Sequence, residues 1–219
     1  MERLKYYPEC PPRVVSIGKV EVAIFGSLAV LIVGFFTGLY YRRVDHILRT
    51  GWMIAYISIL YLVSDRVSKP EGVLGALLSP FLNRGTLAVT AVFLAVHASL
   101  VNVPFTNIDL FNVRMKNVDM ISHSLGGLVM WLMITEILMN LKPGLRRETL
   151  LKYSFGILLF VGIGWEVAEW IGSHFTEGIL HETILNKTRD VVMEQLGALF
   201  GLWMVSRKGF PFRLPEKPR

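Results

Sequence analysis

Three intervals of the chain carry ionisable residues at helical spacing. Asp119 and His123 stand four apart, Glu166 and Glu169 three apart, and Asp190 and Glu194 four apart. Residues three or four apart share one face of a helix. Each pair therefore offers two metal ligands or two proton carriers on one side. Carboxylate with imidazole suits zinc, manganese or iron, and the lack of thiolates argues against a soft-metal site. The one cysteine, Cys10, excludes a disulfide framework and any multi-cysteine zinc site. The candidate divalent-metal ligands are Asp119, His123, Glu166, Glu169, Asp190 and Glu194. Glu166, Glu169 and Asp190 are the candidates for acid–base work. His97, Glu136 and Arg189 are additional candidates.

These side chains need elements to position them, and composition says what kind. Of the 219 residues 53% are hydrophobic and 18% charged, where soluble domains run nearer one-quarter charged. Mean hydropathy is +0.48. This points to a membrane protein and excludes disordered and collagen-like chains. A bilayer core takes about 20 residues of helix. Val22 to Tyr41 gives 20 residues without a charge. Spans are expected near 21–41, 47–64, 85–103, 118–141, 150–172 and 189–206, all within one transmembrane domain over residues 1–219. The expected fold is thus an all-α, multi-pass bundle of about six helices. If carboxylates are excluded, the fifth and sixth apolar runs shrink to 13 and 12 residues. Those are too short to cross, so the acids are expected inside the membrane boundary. Residues 68–84 read as an interfacial helix or turn, Pro104 as the stop of the third span, and the tail after Arg207 as irregular. The first apolar stretch reads as a retained anchor and not a cleavable signal.

Charge placement sets the orientation. Sixteen of the 23 Lys and Arg residues fall in the two termini and the even-numbered loops, and seven on the other face. The positive-inside rule then puts both termini in the cytoplasm. The net charge of +6 becomes a topology signal. Nucleic acid is not expected as a partner, because the basic residues are scattered through short loops. Membrane lipid is. In this orientation His97, Asp119, His123, Glu166, Glu169, Asp190 and Glu194 all fall within roughly the outer 10 Å of the membrane at 1.5 Å per residue. Small or soft residues continue the same faces: Gly126 with Met130, Gly162, and Gly197 with Gly201. Small residues let membrane helices approach closely, so the acidic faces are expected to meet. Packed carboxylates repel, and protons or a bound cation would resolve that.

Structural readings compete. Asp119 and Asp190 suit helix N-caps. His97 reads best as a hydrogen-bonded interior residue. Arg189 could join the acids in an ion-pair network. His174, Glu177, His181 and Glu182 read as solvated loop residues, and Trp165, Trp170 and Trp203 as interface aromatics. Glu166 and Glu169 resist such accounts, because negative charge is unfavourable at a helix C-terminus.

The run Asp119-Met-Ile-Ser-His123-Ser-Leu-Gly126-Gly127, followed by Thr135-Glu136-Ile137-Leu138, resembles the Asp-x-x-x-His-x-x-x-Gly and Arg-Glu-Ile-Leu segments of YjdF-like membrane proteins. Glu166-Val-Ala-Glu169-Trp170 resembles their Tyr-Glu-Leu-x-Glu-Trp. Asn186-Lys-Thr-Arg-Asp190 with Gly197-Ala198 resembles their Asp-Thr-Gln-Trp-Asp-Met and Gly-Ala. A more distant likeness is to VanZ-like proteins. The resemblance covers roughly residues 115–202. Asn186 stands where the YjdF-like pattern has Asp. Glu194 and Glu169 stand where the VanZ-like pattern has Asn and Gln. The resemblance implies a polytopic plasma-membrane protein of an uncharacterised group. The leading expectation is metal-assisted hydrolysis or transfer on a lipid-linked or cell-envelope substrate. The competing expectations are a proton- or cation-coupled transporter using the same carboxylates, and a scaffold held by ion pairs.

Overall fold

The computed structural model describes residues 17–110, 117–175 and 183–215. The described residues form seven helices and no strand: α1 (Ile17–Tyr40), α2 (Val44–Ser64), α3 (Gly72–Leu82), α4 (Arg84–Val101), α5 (Asp119–Leu141), α6 (Arg147–Phe175) and α7 (Ile184–Lys208). Five of them are long and apolar enough to cross a membrane: Gly18–Tyr40, Val44–Ser64, Arg84–Val101, Asp119–Leu141 and Arg147–Gly172. α7 has the length, at 25 residues. It lacks the composition, since every 18-residue stretch of it holds at least three charged side chains. The sixth expected span is therefore a helix at the expected place without the apolarity of the other five.

Local chemistry sets the helix ends. Asn83 caps α4, its Oδ1 accepting from the amides of Gly85 at 2.9 Å and Thr86 at 3.4 Å. α4 ends at Val101, ahead of the stop expected at Pro104, because the next side chain, Asn102, is committed to α1. It donates to the Gly34 carbonyl at 3.1 Å. Thr183 caps α7, accepting from the Asn186 amide at 3.3 Å. α7 closes on Gly209 at φ 63°, a left-handed geometry that glycine adopts without a Cβ penalty. Arg207 and Lys208 in its last turn complement the helix dipole. Beyond it residues 209–215 are irregular, as expected, but they are not loose. Phe212 and Leu214 pack on the core.

The apolar interior has two parts. Ile24 and Leu31 of α1, Ile57 of α2, and Leu87, Ala88, Ala91, Ala95 and Ala98 of α4 form one. Leu128, Trp131 and Leu132 of α5, Leu158 of α6, and Ala198 and Val205 of α7 form the other. α3 and α4 join the halves by packing on α5. Many large apolar side chains point outward, among them Phe36, Trp52, Phe160 and Trp203, as lipid-facing surfaces require.

The most extensive contact is α5 on α7, and it rests on missing side chains. A Cβ on Gly127 would overlap the backbone of Glu194, and one on Gly197 would overlap the Ser124 carbonyl. The expectation that Gly126 and Met130 extend the Asp119–His123 face is corrected. Gly127, four residues after His123, meets α7, while a Cβ on Gly126 would stand 3.7 Å from Phe93 of α4 and Met130 is exposed. At 3.6 residues per turn the face drifts, so the i+4 position keeps the seam where i+3 leaves it.

Candidate functional site

One end of the bundle collects the termini of α4, α5, α6 and α7, together with the α1–α2 turn. Tyr41 Oη reaches the Phe105 carbonyl at 3.3 Å, and Arg43 reaches Asn107 at 3.3 Å. α5 starts here at Asp119, α6 ends here, and α7 starts here under its Thr183 cap. Asp119 and His123 thus face Glu166 on the last turns of α6 and Asp190 and Glu194 on the first turns of α7.

His123 is the centre of this arrangement. Its Nε2 lies 3.3 Å from Asp119 Oδ1, and its Nδ1 lies 3.4 Å from Glu194 Oε1. It belongs to two groups of potential ligands, Asp119–His123–Asp190 and His123–Glu166–Glu194. Within each group one ligand atom per residue lies within 4.8 Å of the others. Asp190 is 1% exposed and Glu166 5%, so these acids are taken from water by the packing itself. Gly162 contributes by absence, since a Cβ there would overlap Glu194 Oε2. The Glu194 carboxylate occupies the space that glycine leaves.

Two cations partly offset the acids. Arg189 donates to Asp190 Oδ1 from Nε at 3.1 Å and from Nη2 at 3.0 Å, and its Nη2 lies 3.6 Å from Asp119 Oδ2. Lys187 donates to Glu166 Oε2 at 3.1 Å and lies 3.9 Å from Glu169. Asn186 Nδ2 donates to Asp190 Oδ2 at 2.8 Å. Two carboxylate oxygens buried in the same cluster, Glu166 Oε1 and Glu194 Oε2, have no hydrogen-bond partner among the described residues. Among the described residues, Asp119, Glu166, Asp190 and Glu194 outnumber Lys187 and Arg189 by two.

The remaining candidates sit elsewhere. Glu169 is at the rim, 44% exposed, where it accepts from Trp165 Nε1 at 2.9 Å. His97 hydrogen-bonds Ser122 Oγ through Nδ1 at 2.7 Å, the interior role expected of it. Glu136 lies thirteen residues beyond His123, or about 20 Å along α5. It is buried there, accepting from Asn83 Nδ2 at 2.9 Å and Thr86 Oγ1 at 2.7 Å. Leu128, Leu132, Leu158 and Ala198 fill the bundle between the two polar centres. Cys10, Glu177, His181 and Glu182 lie outside the described residues, as does the side chain of His174.

A family model described as a predicted membrane protein, DUF2238, matches residues 23–209. That interval takes in all seven helices save the first six residues of α1 and contains every residue of the cluster. The chain belongs to the DUF2238 family. No curated protein and no solved structure matches it.

Sequence reasoning missed one member of this DUF2238 cluster. Lys187, one of the seven basic residues that charge placement puts on the outer face, bridges α7 to Glu166. Its signal was available: Lys187, Asp190 and Glu194 lie at spacings of three and four on the helix that Thr183 opens.

Proposed function

We propose that the cluster around His123 holds a divalent cation. The ligands are drawn from Asp119, His123, Glu166, Asp190 and Glu194. The supporting observation is the pair of buried carboxylate oxygens, Glu166 Oε1 and Glu194 Oε2, that have no hydrogen-bond partner among the described residues, within a group where four carboxylates face Lys187, Arg189 and the His123 imidazole. Buried charge without a partner is costly, and a cation relieves both the repulsion and the unpaired oxygens. Imidazole with carboxylates suits zinc, manganese or iron. Such an ion supplies Lewis-acid chemistry for hydrolysis or transfer, with a neighbouring carboxylate free to move a proton.

In this reading α7 is a sixth span, one transmembrane domain covers residues 1–219, and the termini are cytoplasmic. The site then opens near the outer leaflet of the plasma membrane, toward lipid-linked or envelope substrates. We read the YjdF-like motifs as those of the DUF2238 family; the VanZ likeness gains no support from the family match. A structural ion-pair network is the second reading, favoured by the contacts of Lys187 and Arg189. The apolar layer between the cluster and Glu136 speaks against a transport path.

Chelator-stripped protein in detergent tests the choice. Added zinc or manganese is expected to raise the melting temperature, binding at a hundredfold excess over Kd contributing about 2.7 kcal/mol. Glu166→Gln should abolish the rise. Wild-type melting that ignores both ions would leave the ion-pair network as the account.

A further inference from the structure

A groove of about 510 Å³ runs between the outer ends of α6 and α7. Its walls are Ile163, Val167 and Trp170 on one side and Ile184, Val191 and Val192 on the other. Its polar residues are Glu166, Lys187 and Thr188. The volume lies within the range of about 300–1,000 Å³ usual for small-molecule sites.

Two features make this more than a crevice filled by any lipid. First, the groove and the buried cluster share a wall. Glu166 lines the groove and also belongs to the His123–Glu166–Glu194 group. Second, its polarity is lopsided. Val167, Val192 and Ile163 are about half exposed along its length, while Lys187, the one cation among the described residues lining it, sits beside Glu166 where the groove meets the cluster. An occupant matching both features has an apolar chain and an anionic head.

We propose that this groove admits a phosphate-bearing lipid from within the membrane. The acyl chain lies along Val167 and Val192, and the phosphate is drawn to Lys187 at the edge of the cluster. The inference deepens the cation reading and rests on it for the head group, since without a bound cation the excess of carboxylates would repel a phosphate.

The test uses the full chain in lipid discs. These contain a phosphatidic acid with a photoactivatable diazirine on its acyl chain or, in parallel, a diacylglycerol carrying the same chain. Crosslinked peptides are mapped, and cation content is measured on the same samples. The expected result is labelling concentrated on residues 163–170 and 191–192 and stronger for the phosphate lipid. Val167→Trp and Val192→Trp, both at exposed positions that tolerate bulk, should each cut that labelling on the order of tenfold and leave cation content unchanged. Labelling spread evenly over lipid-facing positions such as Phe36 and Leu62, or equal for both lipids, overturns the proposal. The two readings fail separately. Even labelling of protein that holds its cation removes the lipid groove and leaves the ion site. Groove-confined labelling, selective for the phosphate lipid, in protein without a cation keeps the lipid groove with Lys187 as its head-group contact, and removes both the ion site and the head group's dependence on it.

Discussion

His123 works by position, because it is the side chain that both ligand groups share. Truncating it to alanine should abolish cation-dependent stabilisation, whereas Glu169→Ala at the half-exposed rim should weaken it far less, as melting curves with and without zinc would record. Lys187 separates the two readings of the cluster. It competes with any bound cation for Glu166, so Lys187→Met should destabilise stripped protein, on the order of 3 kcal/mol for an abandoned buried carboxylate. Added cation should then restore more stability than it gives wild type. If the network is purely structural, the same variant loses stability and no cation restores it. Gly162→Ala should displace the Glu194 carboxylate and lower cation affinity, read by zinc titration. The acids themselves were legible in the sequence from type and spacing. What was not legible was how they divide. Spacing puts Glu169 on the face of Glu166, but only packing shows Glu166 turned inward and Glu169 held at the rim by Trp165 and Lys187.

α7 brings more side chains to the cluster than any other helix. It supplies Asn186, Lys187, Arg189, Asp190 and Glu194, and it lies on α5 so closely that Gly127 and Gly197 have no room for a methyl group. Gly197→Ala should therefore destabilise the protein by about 1–3 kcal/mol through overpacking. Gly156→Ala, at a position with open space around it, should be neutral, and thermal melting in detergent compares the two. α7 is also where reading the sequence was hardest. Its charges mask an apolar face that appears only once Ala198 and Val205 are seen in the core. The helices of the first half were legible to within a few residues, because long uncharged runs leave few alternatives. The Gly126 face was misplaced because a single-residue shift rotates a side chain by about 100°, and the sequence does not say which partner the helix meets.

At the scale of the whole molecule, polar chemistry sits at two ends of an apolar bundle. Asn83, Thr86 and Glu136 hold one end together, and the His123 cluster occupies the other. Arg84 ties the first of these ends to Asp65, and to Glu21 at 3.6 Å, so α1, α2 and α4 share one anchor. The proposed orientation predicts that Thr106→Cys, on the cluster's side, reacts with a membrane-impermeant maleimide in intact cells, while Arg213→Cys reacts only after permeabilisation. The opposite pattern would invert the topology. Elemental analysis of purified protein reads the proposed divalent cation of the His123 cluster without an intermediary. Wild type is expected to carry zinc, manganese or iron at a fixed ratio to protein, with His123→Ala and Glu166→Ala folded but metal-free. Wild type without metal after purification and reloading, with both variants fully stable, would contradict it.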